Sequence, residues 1–341
     1  MLRVSRVKLG LLVALVTGLV LVPTAAQADP SFYVTPLFGS TTAPDGSLLV
    51  ADAGQGIVDG DDGSLVASLP GINDVDAVSD SEQWAVASGE AGEQKLYKVV
   101  NGVAAEFADI LAFELEKNPH PATNESNAFD VTDLGRGEAL VADSAGNTLL
   151  EVRRFGSVKL VAVFPDELVS TDNAKKIFGC PAGPPMICGL PSEIPAESVP
   201  TGVAIGPDGG FYVGELKGFP APIGESRIWK IRPNARNVRC GKEPGRCAVA
   251  LDGFTSIIDL AFGPDGYLYV AQIDDASFLA MEQMQGVGGS VQRCNVAAKV
   301  CTKVASGLPM LTSIAFRGDG SLWGTTWALV PGMGDAVQIL P

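Results

Sequence analysis

Short apolar runs separated by tight turns dominate the pattern of this chain. The clearest case lies within Val199–Leu216, where the apolar run Val203–Ile205 stops at Gly-Pro-Asp-Gly and the run Phe211–Val213 follows almost at once. Two strand-like runs joined by so short a turn predict a β-hairpin. In such a turn proline presets φ, aspartate bonds the local backbone, and glycine tolerates positive φ.

The hairpin recurs along the chain, and its six turns lie at residues 44–46, 79–82, 134–137, 206–209, 263–266 and 318–320. A second pair of runs follows each copy, as in Lys95–Val100 and Val103–Phe107, so each unit carries four short strands. Units of about 50 residues are typical of propeller blades. We therefore predict an all-β, six-bladed β-propeller of four-stranded antiparallel blades, each covering its neighbour's apolar face. The alternative, a β-sandwich, does not predict a repeated Pro-Asp-Gly turn.

The two ends of the chain favour closure of the ring. The last run, Val337–Leu340, resembles a third strand with no successor, and Phe32–Phe38 resembles a fourth strand with no predecessor. We predict that they pair, so that both termini close the last blade and leave no open edge.

Residues 1–28 have the features of a cleavable secretion signal. Basic residues at 3, 6 and 8 precede the apolar stretch Leu9–Val22, and Ala26-Gln27-Ala28 fits a cleavage site. The alternative, a membrane anchor, needs about 20 apolar residues, and this stretch is shorter. We expect residues 29–341 to be exported as one propeller domain with a lid-like insertion at about 165–198.

Charge and cysteine content restrict the partners and the compartment. The formal net charge is −15, an acidic excess that argues against nucleic acid or an anionic membrane as partner. We expect a monomer that binds an unknown small molecule or extracellular partner.

The six cysteines form three close pairs, and an even number in an exported chain indicates disulfides. No pair has Cys-x-x-Cys spacing and the chain has a single histidine, His120, so a metal site is the weaker alternative. We predict pairing between neighbours: Cys180 with Cys188, Cys240 with Cys247, and Cys294 with Cys301.

The repeat also predicts where a site lies. In a blade, the first strand starts and the second strand ends on the same face, here called the top face, so residues at these points ring the channel mouth. The second strands end near Asp52, Asp143, Glu215 and Asp274, and the first strands start near Asn127, Thr201, Asp259 and Thr312. Oxygen ligands of this kind suit calcium or magnesium. The alternative is that these carboxylates are solvated or cap backbone groups.

Four long insertions are expected on the same top face, at residues 111–126, 166–198, 217–224 and 273–288. Long loops gathered on one face of a rigid scaffold often carry binding sites. Phe219 is predicted to present an aromatic ring at the mouth. The predicted ligand-binding residues are Asn127, Asp143, Glu215, Phe219, Asp259 and Asp274.

Catalytic motifs are absent from the sequence. There is no Gly-x-Ser-x-Gly, His-Glu-x-x-His or phosphate-binding glycine loop. His120 lies between prolines and is predicted to be an exposed loop residue. No catalytic residue is identified, and hydrolytic chemistry here would require a bound cation with a carboxylate as ligand or base.

Three segments resemble the ScyD/ScyE family: 199–220, 253–266 and 141–150. The resemblance covers nearly the whole mature chain and implies an exported bacterial propeller, related to the NHL and gluconolactonase types, with no assigned reaction. This chain departs from the family in having Asn127-Ala128-Phe129-Asp130 where Asn-Pro-Tyr-Gly is usual, and in its cysteine pairs.

The resemblance to gluconolactonase-type propellers implies a divalent cation held by Glu, Asn and Asp side chains. By position, Glu215, Asn127 and Asp259 would be those metal ligands. We therefore expect a secreted binding propeller with a ligand at the channel mouth. The alternatives are a divalent-metal-dependent hydrolase of lactones or esters, and a cell-surface interaction platform with a broad apolar top surface.

Overall fold

Six antiparallel sheets follow one another along the chain in the computed structural model, which describes residues 32–121 and 124–340. The predicted secretion signal lies outside the described residues. The first strands of all six sheets line one central cavity, so the sheets are blades arranged around a common channel. The predicted six-bladed propeller of four-stranded antiparallel blades is confirmed.

The blades are contiguous in sequence. Blade 1 comprises β1 (Leu37–Thr42), β2 (Leu48–Asp52), β3 (Gly56–Asp59) and β4 (Leu65–Ser68). Blade 2 comprises β5 (Ile72–Ser79), β6 (Glu82–Ser88), β7 (Gln94–Val100) and β8 (Val103–Asp109). Blade 3 comprises β9 (Ala128–Gly135), β10 (Glu138–Asp143), β11 (Thr148–Val152) and β12 (Val158–Val163).

The second half of the chain contains a hairpin outside the blades, formed by β13 (Glu167–Ser170) and β14 (Glu193–Ala196). Blade 4 follows it and comprises β15 (Pro200–Ile205), β16 (Phe211–Glu215), β17 (Ser226–Ile231) and β19 (Cys247–Phe254). The short strand β18 (Val238–Arg239) leaves blade 4 and pairs in parallel with β12 of blade 3. Blade 5 comprises β20 (Ile257–Phe262), β21 (Leu268–Gln272), β22 (Gly289–Asn295) and β23 (Val300–Leu308), and blade 6 comprises β24 (Ser313–Phe316), β25 (Leu322–Thr326) and β26 (Asp335–Leu340).

Helices occur between strands. They are α1 (Ile110–Lys117), α2 (Asp172–Ile177), α3 (Pro185–Cys188), α4 (Phe278–Glu282) and a 3-10 turn at Arg154–Gly156. Asp109 caps α1 by accepting a hydrogen bond from the Ala112 N–H at 2.8 Å, as expected for an N-cap aspartate.

The repeated turn behaves as its sequence predicts. In blade 4 the Asp208 carboxylate accepts the Gly210 N–H at 3.0 Å, and Gly209 has a φ of 74°. Asp45, Asp265 and Asp319 accept the equivalent N–H in their own blades. These four turns therefore each close their hairpin through a local carboxylate.

The core lies between adjacent blades. One buried cluster joins Leu140 of blade 3 to Val213 and Trp229 of blade 4. Similar contacts continue around the ring, with rings of Tyr212 and Phe262 5.1 Å apart and rings of Tyr269 and Phe316 4.8 Å apart. Since every blade uses its neighbour to bury an apolar face, the blades depend on one another for stability.

The predicted closure of the last blade is wrong. Within the described residues β26 is the outer strand of a three-stranded sheet, and the predicted strand Phe32–Phe38 instead leads into β1, the innermost strand of blade 1. The reason lies at Asp52, whose carboxylate accepts the N–H groups of Val34 and Thr35 at 2.6 and 3.0 Å and so holds this segment on blade 1.

All three predicted disulfides are confirmed: Cys180–Cys188, Cys240–Cys247 and Cys294–Cys301. Cys294 and Cys301 face each other across β22 and β23. Three disulfides indicate an oxidising or extracellular environment. Among the helices of residues 32–121 and 124–340, none has the length and apolar character required to cross a bilayer.

Candidate functional site

One residue at the start of each blade faces the mouth of the channel. These residues are Phe38, Asn73, Phe129, Thr201, Ile258 and Thr312, so apolar and polar side chains alternate from blade to blade. The three polar side chains donate hydrogen bonds to the next blade, reaching the carbonyls of Ala128, Ile257 and Leu37 at 2.7–2.8 Å.

The apolar side chains occupy the space between the blades at the mouth. The rings of Phe38 and Phe129, from blades 1 and 3, meet edge to face at 5.8 Å. At the channel mouth the polar side chains therefore join neighbouring blades, and the apolar side chains narrow the entrance of the channel.

One residue deeper, buried carboxyl groups join successive blades. Asp74, Asp130 and Asp259 each accept a backbone N–H from the innermost strand of the next blade. The donors are Val131, Val203 and Ile314, at 2.7–2.8 Å. The equivalent residue in blade 1 is Gly39, and a Cβ there would lie 1.8 Å from Asp74 Oδ1. Glycine at this position therefore provides the space that the Asp74 carboxyl occupies.

These carboxyl groups are strongly perturbed. Burial raises the pKa of Asp74 to about 7, and burial together with the charges of Asp74 and Asp259 raises the pKa of Asp130 well above its ordinary value. The side chains of Asp74 and Asp130 lie within hydrogen-bonding distance, and two carboxyl groups can form such a bond only when they share a proton, so the pair titrates together. Burial likewise raises the pKa of Asp259 and of Asp76.

A cavity of about 250 Å³ occupies the channel at this level. Its wall contains all four perturbed aspartates together with the hydroxyl-bearing segment Ser40–Thr42 and Thr132. The interior of the propeller is thus polar and holds four carboxyl groups whose pKa values are raised by burial, that of Asp74 to about 7.

The predicted rim carboxylates lie at the top face, but they bind the chain itself. Asp143 accepts the N–H groups of Asn127 and Gly146 at 2.7 and 2.8 Å and the Ser126 hydroxyl at 2.5 Å. Asp274 accepts the N–H groups of residues 276, 287 and 288. These contacts match the alternative considered from the sequence, in which such carboxylates cap backbone groups.

Glu215 lies in a buried ion-pair network. Lys217 has no solvent exposure, and its Nζ lies 2.8 Å from Glu215 Oε1 and 2.6 Å from Glu167 Oε2. Arg227 approaches the same two carboxylates at 3.4 and 2.6 Å. The other oxygen of Glu215 accepts from the Ser198 hydroxyl and the Trp229 indole N–H. The network connects β13 with blade 4.

The three predicted metal ligands do not fit a divalent cation. Both oxygens of Glu215 contact donors, two of which are cationic, and both oxygens of Asp259 accept backbone N–H groups. The Asn127 amide donates to the Ser144 hydroxyl at 2.9 Å. A cation at Glu215 would meet the buried ammonium of Lys217 at short range. Across residues 32–121 and 124–340, no group of three or more His, Cys, Asp or Glu side chains is placed to hold a metal ion.

Three of the predicted insertions pack together into a structure that we call the cap, comprising residues 166–198, 216–225 and 273–288. The Asn173 amide of α2 donates to the Ala221 carbonyl at 2.6 Å and the Ser277 hydroxyl at 2.9 Å. Gln285 donates to the Ile177 carbonyl at 3.0 Å. Each segment of the cap therefore contacts at least one of the others through a polar side chain.

The cap also has an apolar underside. Ala174, Ala221 and Phe278 belong to one buried cluster with Ile258 of the channel mouth, and Phe129 and Phe219 pack against it. Phe219 is therefore at the mouth as predicted, but it is half-buried beneath the cap. The cap lies over the mouth at blades 3, 5 and 6.

A groove of about 270 Å³ lies within the cap. It is lined by Ser170, Asp172, Asn173, Lys176, Pro222, Ile223 and Glu225. The two sides of the groove come from different segments, which the Asn173–Ala221 hydrogen bond joins. Lys176, Asp172 and Ile223 are exposed, so the groove presents both signs of charge beside an apolar side chain.

Two further titratable residues lie near α1. The prediction that His120 is exposed is wrong, since it is 6% exposed and its Nε2 lies 3.2 Å from an Asp166 oxygen. Burial and the charge of Asp143 raise the pKa of Glu114 to about 8, and the Thr148 hydroxyl donates to Glu114 at 2.7 Å.

Sequence reasoning missed Asp74, Asp130 and the cations that balance Glu215, and it assigned Asp259 to ligand binding when its carboxyl group joins two blades. A signal for the former existed, because Asp74, Asp130 and Asp259 hold the same register position in their blades. Lys217 and Glu167 are 50 residues apart, and no sequence pattern relates them.

Comparison with known proteins supports the fold alone. No family model and no curated protein matches the chain. Among solved structures, a glucose dehydrogenase is similar, with a TM-score of 0.56, 13% identity and coverage of 94% of this chain and 99% of that chain. The PQQ-bound aldose sugar dehydrogenase of Streptomyces coelicolor has a TM-score of 0.53 at 13% identity, covering 90% and 94%. A catalytically inactive virginiamycin B lyase from Staphylococcus aureus, with quinupristin, has a TM-score of 0.50 at 14% identity, covering 90% and 85%.

Proposed function

We propose that this chain is a secreted binding protein of the ScyD/ScyE family, and that its ligand occupies the groove of the cap. The observation that carries the proposal is the groove itself, a concave surface on the face where the long insertions gather. The carboxylates at the channel rim already accept hydrogen bonds from the chain itself and are not free to bind a ligand. The groove, by contrast, has exposed polar side chains that a ligand can contact.

The groove chemistry favours a small zwitterionic ligand such as an amino acid or the end of a peptide. Lys176 supplies a cation for a carboxylate, and Asp172 and Glu225 supply anions for an ammonium group. Pro222 and Ile223 supply apolar contact for a side chain. Complementary charges at the two ends of a ligand set its orientation and exclude ligands of a single charge.

The test is thermal denaturation in the presence of a panel of free amino acids and dipeptides. A ligand at a hundred times its Kd stabilises the folded state by about 2.7 kcal/mol, which is easily seen as a rise in Tm. Lys176→Glu should abolish the rise. Lys175→Glu is the matched control, because Lys175 is the neighbouring residue of α2 and does not line the groove.

A panel that leaves the Tm unchanged, or one that raises it equally in Lys176→Glu, contradicts the proposal. A rise that persists in Lys175→Glu and disappears in Lys176→Glu and in Ile223→Asp supports it.

A protein partner is the second candidate, and exposed apolar side chains on the cap favour it. Leu168, Met186 and Met284 are 68%, 74% and 85% exposed, and Ile223 is 53% exposed. Clustered exposed apolar side chains are typical of interaction surfaces. A partner that contacts them would lose affinity on Met186→Ser and Met284→Ser, which leave the groove intact.

The divalent-metal-dependent hydrolase is not adopted. It would require a cation at Glu215, where Lys217 already supplies the positive charge. Metal analysis of the purified protein tests this directly. A stoichiometric cation that is lost in Glu215→Gln would restore the hydrolase hypothesis.

A further inference from the structure

Positive charge is concentrated on one part of this acidic protein. The segments 136–163 and 232–246, from blades 3 and 4, contain nine Lys and Arg residues against four Asp and Glu residues. We call these nine side chains the basic face: Arg136, Arg153, Arg154, Lys159, Arg232, Arg236, Arg239, Lys242 and Arg246. The whole chain, by contrast, has a net charge of −15.

Tertiary contacts bring the two segments together. Strand β18 pairs with β12, which places Arg239 beside Val163. Arg236 forms an ion pair with Glu151 of blade 3, and its carbonyl accepts a hydrogen bond from Arg246 at 3.0 Å. These contacts hold the two segments of the basic face together although they are up to about a hundred positions apart in the sequence.

Most of this charge is available to a partner. Arg153, Arg236 and Arg246 have a carboxylate within 4 Å. The other six are exposed, and none of them forms an ion pair with the part of the chain that the structure describes; they are Arg136, Arg154, Lys159, Arg232, Arg239 and Lys242. Glu151 is buried beneath the face and its charge is balanced by two arginines.

An aromatic side chain projects from the edge of this face. Phe155 is 98% exposed and occupies the turn between β11 and β12, between Arg154 and Gly156. Its φ of 69° is uncommon for a bulky residue. A fully exposed phenylalanine makes no contribution to the core, and its position directly after Arg153 and Arg154 is typical of a side chain that contacts a partner.

We propose that the basic face docks on an anionic lipid surface, with Phe155 inserting at the level of the headgroups. Aromatic side chains favour the boundary between headgroups and acyl chains, and each basic residue near an anionic surface strengthens binding about fivefold. The acidic remainder of the protein opposes docking little, because charges further than about 8–10 Å from the lipid are screened at physiological salt. The net charge of −15 argues against binding to an anionic membrane, but it averages over the whole chain and does not reveal the local excess of positive charge on the basic face.

The test is co-sedimentation of the full mature chain with vesicles of phosphatidylcholine alone and with 30% phosphatidylglycerol. We expect binding only to the anionic vesicles, weakening as salt is raised. The triple variant Arg154→Gln/Lys159→Gln/Arg239→Gln should bind about 100-fold more weakly, from three losses of about fivefold. Phe155→Asn suits the left-handed backbone, and it should bind about tenfold more weakly without changing the dependence on salt.

The control variant Lys117→Gln/Lys175→Gln/Lys303→Gln removes the same charge outside the basic face. Equal losses in the control and in the basic-face variant would overturn the proposal, as would equal binding to both kinds of vesicle. Binding to soluble polyglutamate with no binding to anionic vesicles would assign the face to an acidic polymer and would also overturn it. Retained melting temperatures establish that each variant is folded.

Discussion

Replacement of Asp130 by asparagine should stabilise the protein at neutral pH and flatten the dependence of its stability on pH. Asp130 is buried, accepts the Val203 N–H at 2.7 Å, and shares a hydrogen bond with Asp74. Asparagine is nearly isosteric with aspartate, so its carbonyl oxygen can still accept the Val203 N–H and its amide can donate to Asp74. The substitution removes one carboxyl group whose ionised form is destabilised by burial.

The sign follows from the direction of the shifts. Carboxyl groups with a raised pKa bind more protons in the folded state than in the unfolded state, so their stabilising effect is complete below about pH 4 and is lost as pH rises through the folded pKa. For Asp74 the shift from 3.8 to about 7 corresponds to roughly 4 kcal/mol lost across that interval. The raised pKa of Glu114, about 8, acts in the same direction.

Each proton contributes about 1.4 kcal/mol per pH unit. Removing the Asp130 carboxyl group should therefore make the decline in unfolding free energy between pH 5 and 7 shallower, by at most about 1.4 kcal/mol per pH unit. Urea denaturation of wild type and Asp130→Asn at several pH values measures this difference. Asp130→Ala should instead destabilise the protein by about 1–3 kcal/mol, because the Val203 N–H loses its acceptor.

Asp62→Asn is the control, since Asp62 is exposed in a turn and its pKa is lowered by hydrogen bonds from Ser64. It should leave the slope between pH 5 and 7 unchanged. If the wild-type stability does not decline in this interval, or if Asp130→Asn is destabilised as much as Asp130→Ala, the argument that buried carboxyl groups join the blades in protonated form is refuted.

Three further changes test other parts of the structure. Lys217→Met should destabilise the protein by about 3–5 kcal/mol, because Glu167 and Glu215 lose the fully buried one of the two cations that they share. Urea denaturation measures the change, and a loss under 1 kcal/mol contradicts the buried network. Replacing Cys294 and Cys301 by serine should lower the unfolding free energy by roughly 2–3 kcal/mol, with full secondary structure by circular dichroism, since the bridge closes a short loop. Asn173→Ala removes two of the hydrogen bonds that join the cap segments. It should speed limited proteolysis within residues 166–198 while leaving the free energy of global unfolding within about 1 kcal/mol of the wild-type value. Unchanged cleavage would show that these two hydrogen bonds are not needed to hold the cap together.

Much of the fold was predictable because its signals are local. Each turn aspartate caps a hairpin within two residues, as Asp208 does for Gly210, and this contact needs no other blade. Cys294 and Cys301 sit across one hairpin, so their pairing also follows from proximity in sequence. The closure of the last blade failed as a prediction because it depended on Asp52, whose capture of Val34 and Thr35 leaves no pattern in the sequence.

The candidate site was only partly predictable. The repeat predicted that second strands end at Asp143 and Glu215, and β10 and β16 end at these residues. It could not show that Asp143 caps backbone N–H groups, that Lys217 balances Glu215, or that the cap covers Phe219. Each of these roles depends on which donors and apolar groups the folded chain places nearby.

By itself, then, the sequence determined the repeating unit, the number of blades, the cysteine pairs and the face on which the insertions gather, because hairpin turns and strand periodicity act over a few residues. Tertiary structure alone decided which carboxyl groups are buried and protonated, where the groove forms and where positive charge collects. Burial and electrostatic potential depend on distances in space, and Arg239 joins the positive charges of blade 3 only because β18 pairs with β12.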